Sequence, residues 1–199
     1  MRLQEITPSM IVLLVGGILA IVVQLPIINE ILPLVSYSSY NDPTFGEIEA
    51  DGGANLLGGF GEVTIDFGDP LGEITADIES VDGWTFLGLA GGLFWILILA
   101  GAVLCIIPAI NKYQAFLPEM EMAIPGGLPF LLAIIGSVLQ LLIVLLIFIG
   151  DAEDEDKYGL SLMDTPAGVD VGFGFYVMAI AAILSLIGAI LLYLEETSA

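Results

Sequence analysis

Four apolar stretches, at residues 9–28, 84–110, 128–150 and 172–194, constrain this chain more than any other feature. At a helical rise of about 1.5 Å per residue, each is long enough to cross a hydrocarbon core of about 30 Å. Hydrophobic residues make up 57% of the 199-residue chain, more apolar surface than one soluble core can hide. The expected fold class is a membrane four-helix transmembrane bundle, all-α within the bilayer, with a small extracytoplasmic antiparallel β-sheet cap. The lipid bilayer is the first expected partner.

The stretches divide the chain into a cytoplasmic start (1–8), a first span (9–28), an acidic β-rich outer loop (29–83) and a second span (84–110). A cytoplasmic loop (111–127), a third span (128–150), a second acidic outer loop (151–171), a fourth span (172–194) and a cytoplasmic tail (195–199) follow. The first stretch is too long for the apolar part of a secretory signal. Its exit, Gln24-Leu25-Pro26-Ile27-Ile28-Asn29, lacks a small-x-small cleavage site, so it reads as a retained anchor.

Orientation rests on three basic residues. Arg2 and Lys112 fall on one side of a four-pass chain and Lys157 on the other. Basic residues favour the cytoplasm, so both ends are expected there. This arrangement puts 19 of the 24 acids outside. A net charge of −21 without histidine has two explanations. One is a salt-rich habitat, where screened carboxylates keep a surface hydrated; the other is bridging by calcium or magnesium, which takes clustered carboxylate oxygens. Both point to a prokaryotic, archaeal-type envelope. Phosphate would be repelled, so no nucleic-acid partner is expected.

The first outer loop carries three stretches in the strand period, 45–50, 62–67 and 73–79, each with carboxylates on one face and Ile, Val or Phe on the other. Turn residues separate them at Asp51-Gly52-Gly53 with Gly58-Gly59, and at Gly68-Asp69-Pro70-Leu71-Gly72. The expectation is an antiparallel meander with one wet acidic face, where Glu47, Glu49 and Glu62 are the candidate interaction residues. Its apolar face, Ile65 included, needs cover; Trp84, Phe173, Phe175 and Tyr176 are candidates. The second loop offers a further strand at 158–163, which would join the same sheet.

Within the spans the chemistry is sparse. No Asp, Glu, Lys, Arg or His lies in their interiors, and the most polar interior groups are Gln24, Gln140, Ser137 and Ser185. Ion pathways and transporter sites usually show ionisable groups or broken helices at membrane depth. The two glutamines either hydrogen-bond across helices or meet water near an interface. Cys105, the single cysteine, reads as a small hydrophobe, and one thiol makes no internal disulfide. Small residues recur at packing spacings: Gly16, Gly17 and Ala20; Gly88 and Gly92; Gly168, Gly172 and Gly188. They serve either packing within the bundle or contact between copies, with Gly88 and Gly92 the candidate contact residues.

Catalytic patterns are missing: there is no histidine base, no phosphate-binding glycine loop followed by lysine, and no H-E-x-x-H, so an enzyme is not expected. The run Asp151-Ala152-Glu153-Asp154-Glu155-Asp156 lacks the central glycine and terminal ligand of an EF-hand loop. It is either a solvated charge run or a weak calcium site formed by Asp151, Glu153, Asp154, Glu155 and Asp156. No other cofactor is expected.

The fourth span is entered by Asp170-Val171-Gly172-Phe173-Gly174-Phe175-Tyr176 and continues Ala181-Ala182-Ile183-Leu184-Ser185-Leu186-Ile187-Gly188. With four spans, cytosolic ends and a long β-rich first loop, this resembles the claudin and peripheral-myelin-protein tetraspan superfamily. The resemblance implies a left-handed four-helix bundle capped by an outer sheet, of a kind used for lateral assembly, adhesion or as an accessory subunit. Claudin first loops carry a Trp followed by Gly-Leu-Trp and a cysteine pair. Here that loop has neither Cys nor Trp, and Gly92-Leu93-Phe94-Trp95 lies inside the second span, so barrier function does not carry over. The expected function is therefore non-enzymatic assembly with other membrane proteins or with itself. A small oligomeric channel or transporter subunit is the alternative, and a membrane enzyme comes third.

Overall fold

The computed structural model describes residues 7–25, 28, 31–43, 46–56, 58–67, 72–77, 88–113, 128–149 and 169–198. They form four α-helices, α1 (Pro8–Val22), α2 (Gly88–Tyr113), α3 (Leu128–Ile149) and α4 (Phe173–Ser198). The strands are β1 (Val35–Tyr37), β2 (Tyr40–Asp42), β3 (Gly46–Asn55), β4 (Gly58–Asp66), β5 (Glu73–Asp77) and β6 (Val169–Val171). The chain separates into two compact units, one of Met1–Val22, Ile96–Val144 and Val177–Ala199, the other of Val23–Trp95 and Leu145–Tyr176.

The first unit is a bundle. Its central layer draws one or two small or branched residues from every helix: Leu13 from α1, Cys105 and Ala109 from α2, Ala133 from α3, and Ala189 and Leu192 from α4. Close pairs show how neighbours run. Gly16 lies against Ser185 and Gly188 against Leu13, so α1 and α4 are antiparallel. Gly101 lies against Gly136 and Cys105 donates to the Ala133 carbonyl, so α2 and α3 are antiparallel too. Phe130 against Tyr193 and Gln140 against Ser185 give the same sense for α3 and α4. The path is up-down-up-down and the ring of helices closes on itself.

Three helices are long and apolar enough to cross a membrane, and α1 is shorter, at 15 residues. This corrects the expectation of a first helix running to 28. Pro26 cannot donate to a helical carbonyl and pushes Leu25 out of the α region, so the helix ends at Val22. At its other end the chain obeys the usual start signals, with Pro8 as first helical residue and the Thr7 carbonyl accepting from Met10 N–H at 3.1 Å.

The last helix differs in the opposite direction, running to Ser198 rather than stopping at 194. The Thr197 hydroxyl donates to the Tyr193 carbonyl and the Ser198 hydroxyl to that of Glu195, giving end carbonyls a partner. Glu195 reaches back to the start of α1. Its carboxylate accepts from the Ser9 hydroxyl at 2.6 Å and from the Ser9 N–H at 3.2 Å.

In the second unit, a six-stranded sheet runs in the order β5-β4-β3-β1-β6, with β2 also pairing to β3. All pairings are antiparallel. The expected three-strand meander is there as β3, β4 and β5, but its first turn is misplaced. Asp51, Gly52 and Gly53 lie inside β3, Gly58 and Gly59 lie inside β4, and the hairpin turns at Leu56. Gly61 has φ +109° opposite Gly52, and a Cβ there would strike the Asp51 carbonyl.

Strand β6 brings the second loop into the same sheet, with Val35 opposite Val171 and Tyr37 opposite Val169. The expected strand at 158–163 lies outside the described residues. Directly after β6, Gly172 and Gly174 pass so near Leu32 and Pro33 that any side chain would collide with their carbonyls. Their N–H groups donate to Leu34 and Pro33 at 2.9 and 2.8 Å. The glycine-aromatic entry into α4 is thus required by backbone contact.

Candidate functional site

The helices carry their large side chains outward. In the bundle unit, exposed aliphatics follow a three-four spacing: Ile11, Val15 and Ile18 on α1; Leu131, Ile135, Val138 and Leu142 on α3; Ile180, Ile183, Ile187 and Ile190 on α4. On α2 the same face holds Ile96, Val103 and Ile110. The inward faces combine Gly, Ala, Ser and Cys with the fully buried Leu13, Ile98, Ile143, Met178 and Leu192. Aliphatic side chains thus lie on both inner and outer faces, and the close contacts at Gly16, Gly17, Gly101, Gly136 and Gly188 are the pattern of helices that associate by backbone approach.

Inside the bundle, a polar node joins three helices. Gln140 of α3, 2% exposed, donates through Nε2 to Cys105 Sγ of α2 at 3.6 Å and accepts from Ser185 Oγ of α4 at 3.5 Å. Of the two readings open for this glutamine, bonding across helices is the one realised. Ser137 bonds only to its own helix, donating to the Ile134 carbonyl. Cys105 is buried. No Asp, Glu, Lys or Arg is buried in the described residues. Gln24 is buried as well, and its carbonyl accepts from the Trp95 indole N–H at 3.2 Å.

The sheet has two unlike faces. Ile48, Ile65 and Ile74 stand in one cross-strand row, and Ala50, Val63 and Ala76 in the next. Ile48, Ala50 and Val63 are buried, Ile65 is half-buried, and Ile74 on the edge strand is 57% exposed. On the other face Asp51, Glu62 and Asp77 lie directly opposite one another, flanked by Asp66 opposite Glu73. Glu47 and Glu49 share this face and are exposed, as is Glu62. The candidate interaction residues therefore come together as expected. One neutral contact crosses the face, Thr64 to Thr75 at 2.9 Å. On β1, burial pushes the Tyr37 hydroxyl up to about 12.

Other expectations fare differently. A Cβ at Gly92 would meet nothing within 4 Å among the described residues, so its face of α2 is open there. Gly88 opens α2. Close helix contact falls instead on Gly101 and Gly136, along with Gly16, Gly17 and Gly188. Phe175 is buried and stacks on Phe148, with centroids 6.1 Å apart, whereas Phe173 and Tyr176 are exposed, Tyr176 meeting Phe175 edge-on. Trp84, Gly168 and the acid run Asp151, Glu153, Asp154, Glu155 and Asp156 lie outside the described residues. Among the described residues no group of carboxylates or thiols converges to hold a metal.

The arrangement defines a class: a protein of long apolar helices with small-residue packing, joined to an acidic antiparallel sheet. Comparison with protein-family models, curated proteins and solved structures finds no match for the chain.

Proposed function

We propose that this is a non-enzymatic four-pass membrane protein of a prokaryotic, archaeal-type cell envelope, acting in lateral assembly or adhesion, or as an accessory subunit of a membrane complex. In architecture it is claudin-like, with α1 as the first pass, cytoplasmic chain ends and the acidic sheet outside. A salt-rich habitat accounts for the acid excess, and weakly held calcium is the only ion invoked. The observation that carries the reading is the outward aliphatic face on every helix around an interior that, among the described residues, is apolar or neutral polar. Such an interior offers packing and no charged path.

Purification from native membrane in mild detergent tests it, with chemical cross-linking and measurement of particle mass. The expected result is a stoichiometric partner or a defined homo-oligomer, and no conductance in planar bilayers. Cation-selective conductance from purified protein would replace this reading with the channel subunit. A cysteine introduced at Gly58 should react with an impermeant reagent on intact cells, and one at Ser198 should not; the reverse pattern would turn the topology over.

A further inference from the structure

The outward faces of α3 and α4 end in aromatic residues at both extremes. On α4, Tyr176 and Tyr193 are 52% and 48% exposed. Between them the large exposed residues are Ile180, Ile183, Ile187 and Ile190, all aliphatic. Beyond Tyr193 come Glu195, Glu196, Thr197 and Ser198, and before Phe173 lies exposed Asp170. On α3 the corresponding aromatics are Phe130 and Phe148. Partners across the helix pair sit at matching levels: Phe130 against Tyr193, with centroids 5.0 Å apart, and Phe148 against Phe175.

Two separate counts give one length. From Tyr176 to Tyr193 along α4 the rise is about 26 Å, and from Phe130 to Phe148 along α3 it is about 27 Å. Tyrosine, an apolar ring with a polar hydroxyl, prefers the boundary between headgroups and acyl chains; Phe130 and Phe148 have no such edge and mark the two levels through their ring contacts with Tyr193 and Phe175. From this placement we infer that the two aromatic levels fix the depth of the protein in the bilayer and match it to a hydrocarbon core of about 27 Å, a few ångströms thinner than the common value.

The occupant of the surface between the levels is lipid. Exposed aliphatics occur on all four helices of the bundle unit, and a single protein contact covers one patch, not a complete belt. This inference rests on the membrane reading above but goes further, since a chain can span a bilayer without matching it to a particular thickness.

The parent protein is reconstituted in phosphatidylcholines of increasing acyl length, with cores from about 22 to about 34 Å, and its melting temperature is measured in each. A nitroxide at Ile187→Cys in a Cys105→Ala background then reports access to dissolved oxygen. The expected result is a melting maximum near the 27 Å lipid, falling by several degrees on either side, and an oxygen-accessible label. A melting temperature that is flat, or that still rises in the thickest lipid, overturns the inference while leaving an inserted protein. A label shielded from oxygen overturns it by placing a second copy or partner helix on α4. Protein that alkaline carbonate washes off the vesicles overturns the membrane reading itself, and the thickness match with it.

Discussion

Gly136 and Gly92 show that a missing side chain can be required by packing in one place and face open space within the chain in another. A Cβ at Gly136 would stand 2.5 Å from the Gly101 carbonyl oxygen and 2.9 Å from Cys105 Sγ, with no flexible atom to yield. Gly136→Val should therefore force α2 and α3 apart, at a cost of about 3 kcal/mol or more, read as a lower midpoint in detergent denaturation. Gly92→Ala should be neutral or raise stability by about 0.5–1 kcal/mol, because alanine favours helix and the space is open. The sequence marked Gly92 and passed over Gly136, since spacing of small residues says little about which way they face. A better signal was present: Gly101 and Gly136 each lie four residues before a polar group, Cys105 and Gln140, and so share its helix face. Gln140→Leu tests that face. It removes the acceptor of Ser185 Oγ and the donor to Cys105 Sγ, and a loss of about 1–2 kcal/mol is expected. A double-mutant cycle with Ser185→Ala should show coupling, whereas strict additivity would remove the bond.

At the scale of elements, the start of α1 and the end of α4 hold each other through Ser9 and Glu195. The carboxylate does what a capping side chain usually does from within its own chain segment, satisfying a first-turn N–H and placing negative charge at the helix start. Glu195→Gln should cost about 1 kcal/mol, seen as a lower thermal midpoint, and Ser9→Ala a similar amount. The two together should cost little more than either alone. Apolar run length located this contact poorly, because it placed the end of α4 before the glutamate that makes it. It located the end of α1 poorly for the opposite reason, counting Pro26 as one more apolar residue.

In the sheet, alternation identified three strands and their faces correctly. The short strands β1, β2 and β6 span three residues each, too few for a period to show; β1 and β2 pair on β3, and β6 pairs on β1. Tyr37 on β1, paired on both sides, gives the sheet a pH limit. Its hydroxyl is raised from 10.0 to about 12 by burial, so the folded state holds the proton more tightly than the unfolded chain. Its contribution is fully present below pH 10 and is lost as pH rises through about 12. The unfolding midpoint should fall across that window, and Tyr37→Phe should flatten the fall.

For the whole molecule the governing quantity is charge. A chain of net charge −21 with three basic residues has almost nothing with which to balance its sheet, and Asp51, Glu62 and Asp77 stand in direct opposition across three strands. Like charges in opposed positions repel, and at low ionic strength the repulsion reaches beyond nearest neighbours. The sheet's melting temperature should rise steadily with sodium chloride. Glu62→Lys sharpens the test because it places a cation between two carboxylates. At low salt the variant should melt a few degrees higher than the parent, and the gap should close as salt approaches about 1 M, where screening acts within about 3 Å. A gap that persists in high salt would mean that the lysine acts by packing. A parent whose melting temperature ignores salt altogether would remove the electrostatic account of the acidic face, and with it the salt-rich habitat. If Glu62→Lys is more stable yet loses a partner that the parent retains, the acid row serves recognition at the expense of stability. The same loss should then follow from changing Glu47, Glu49 and Glu62 together to Gln.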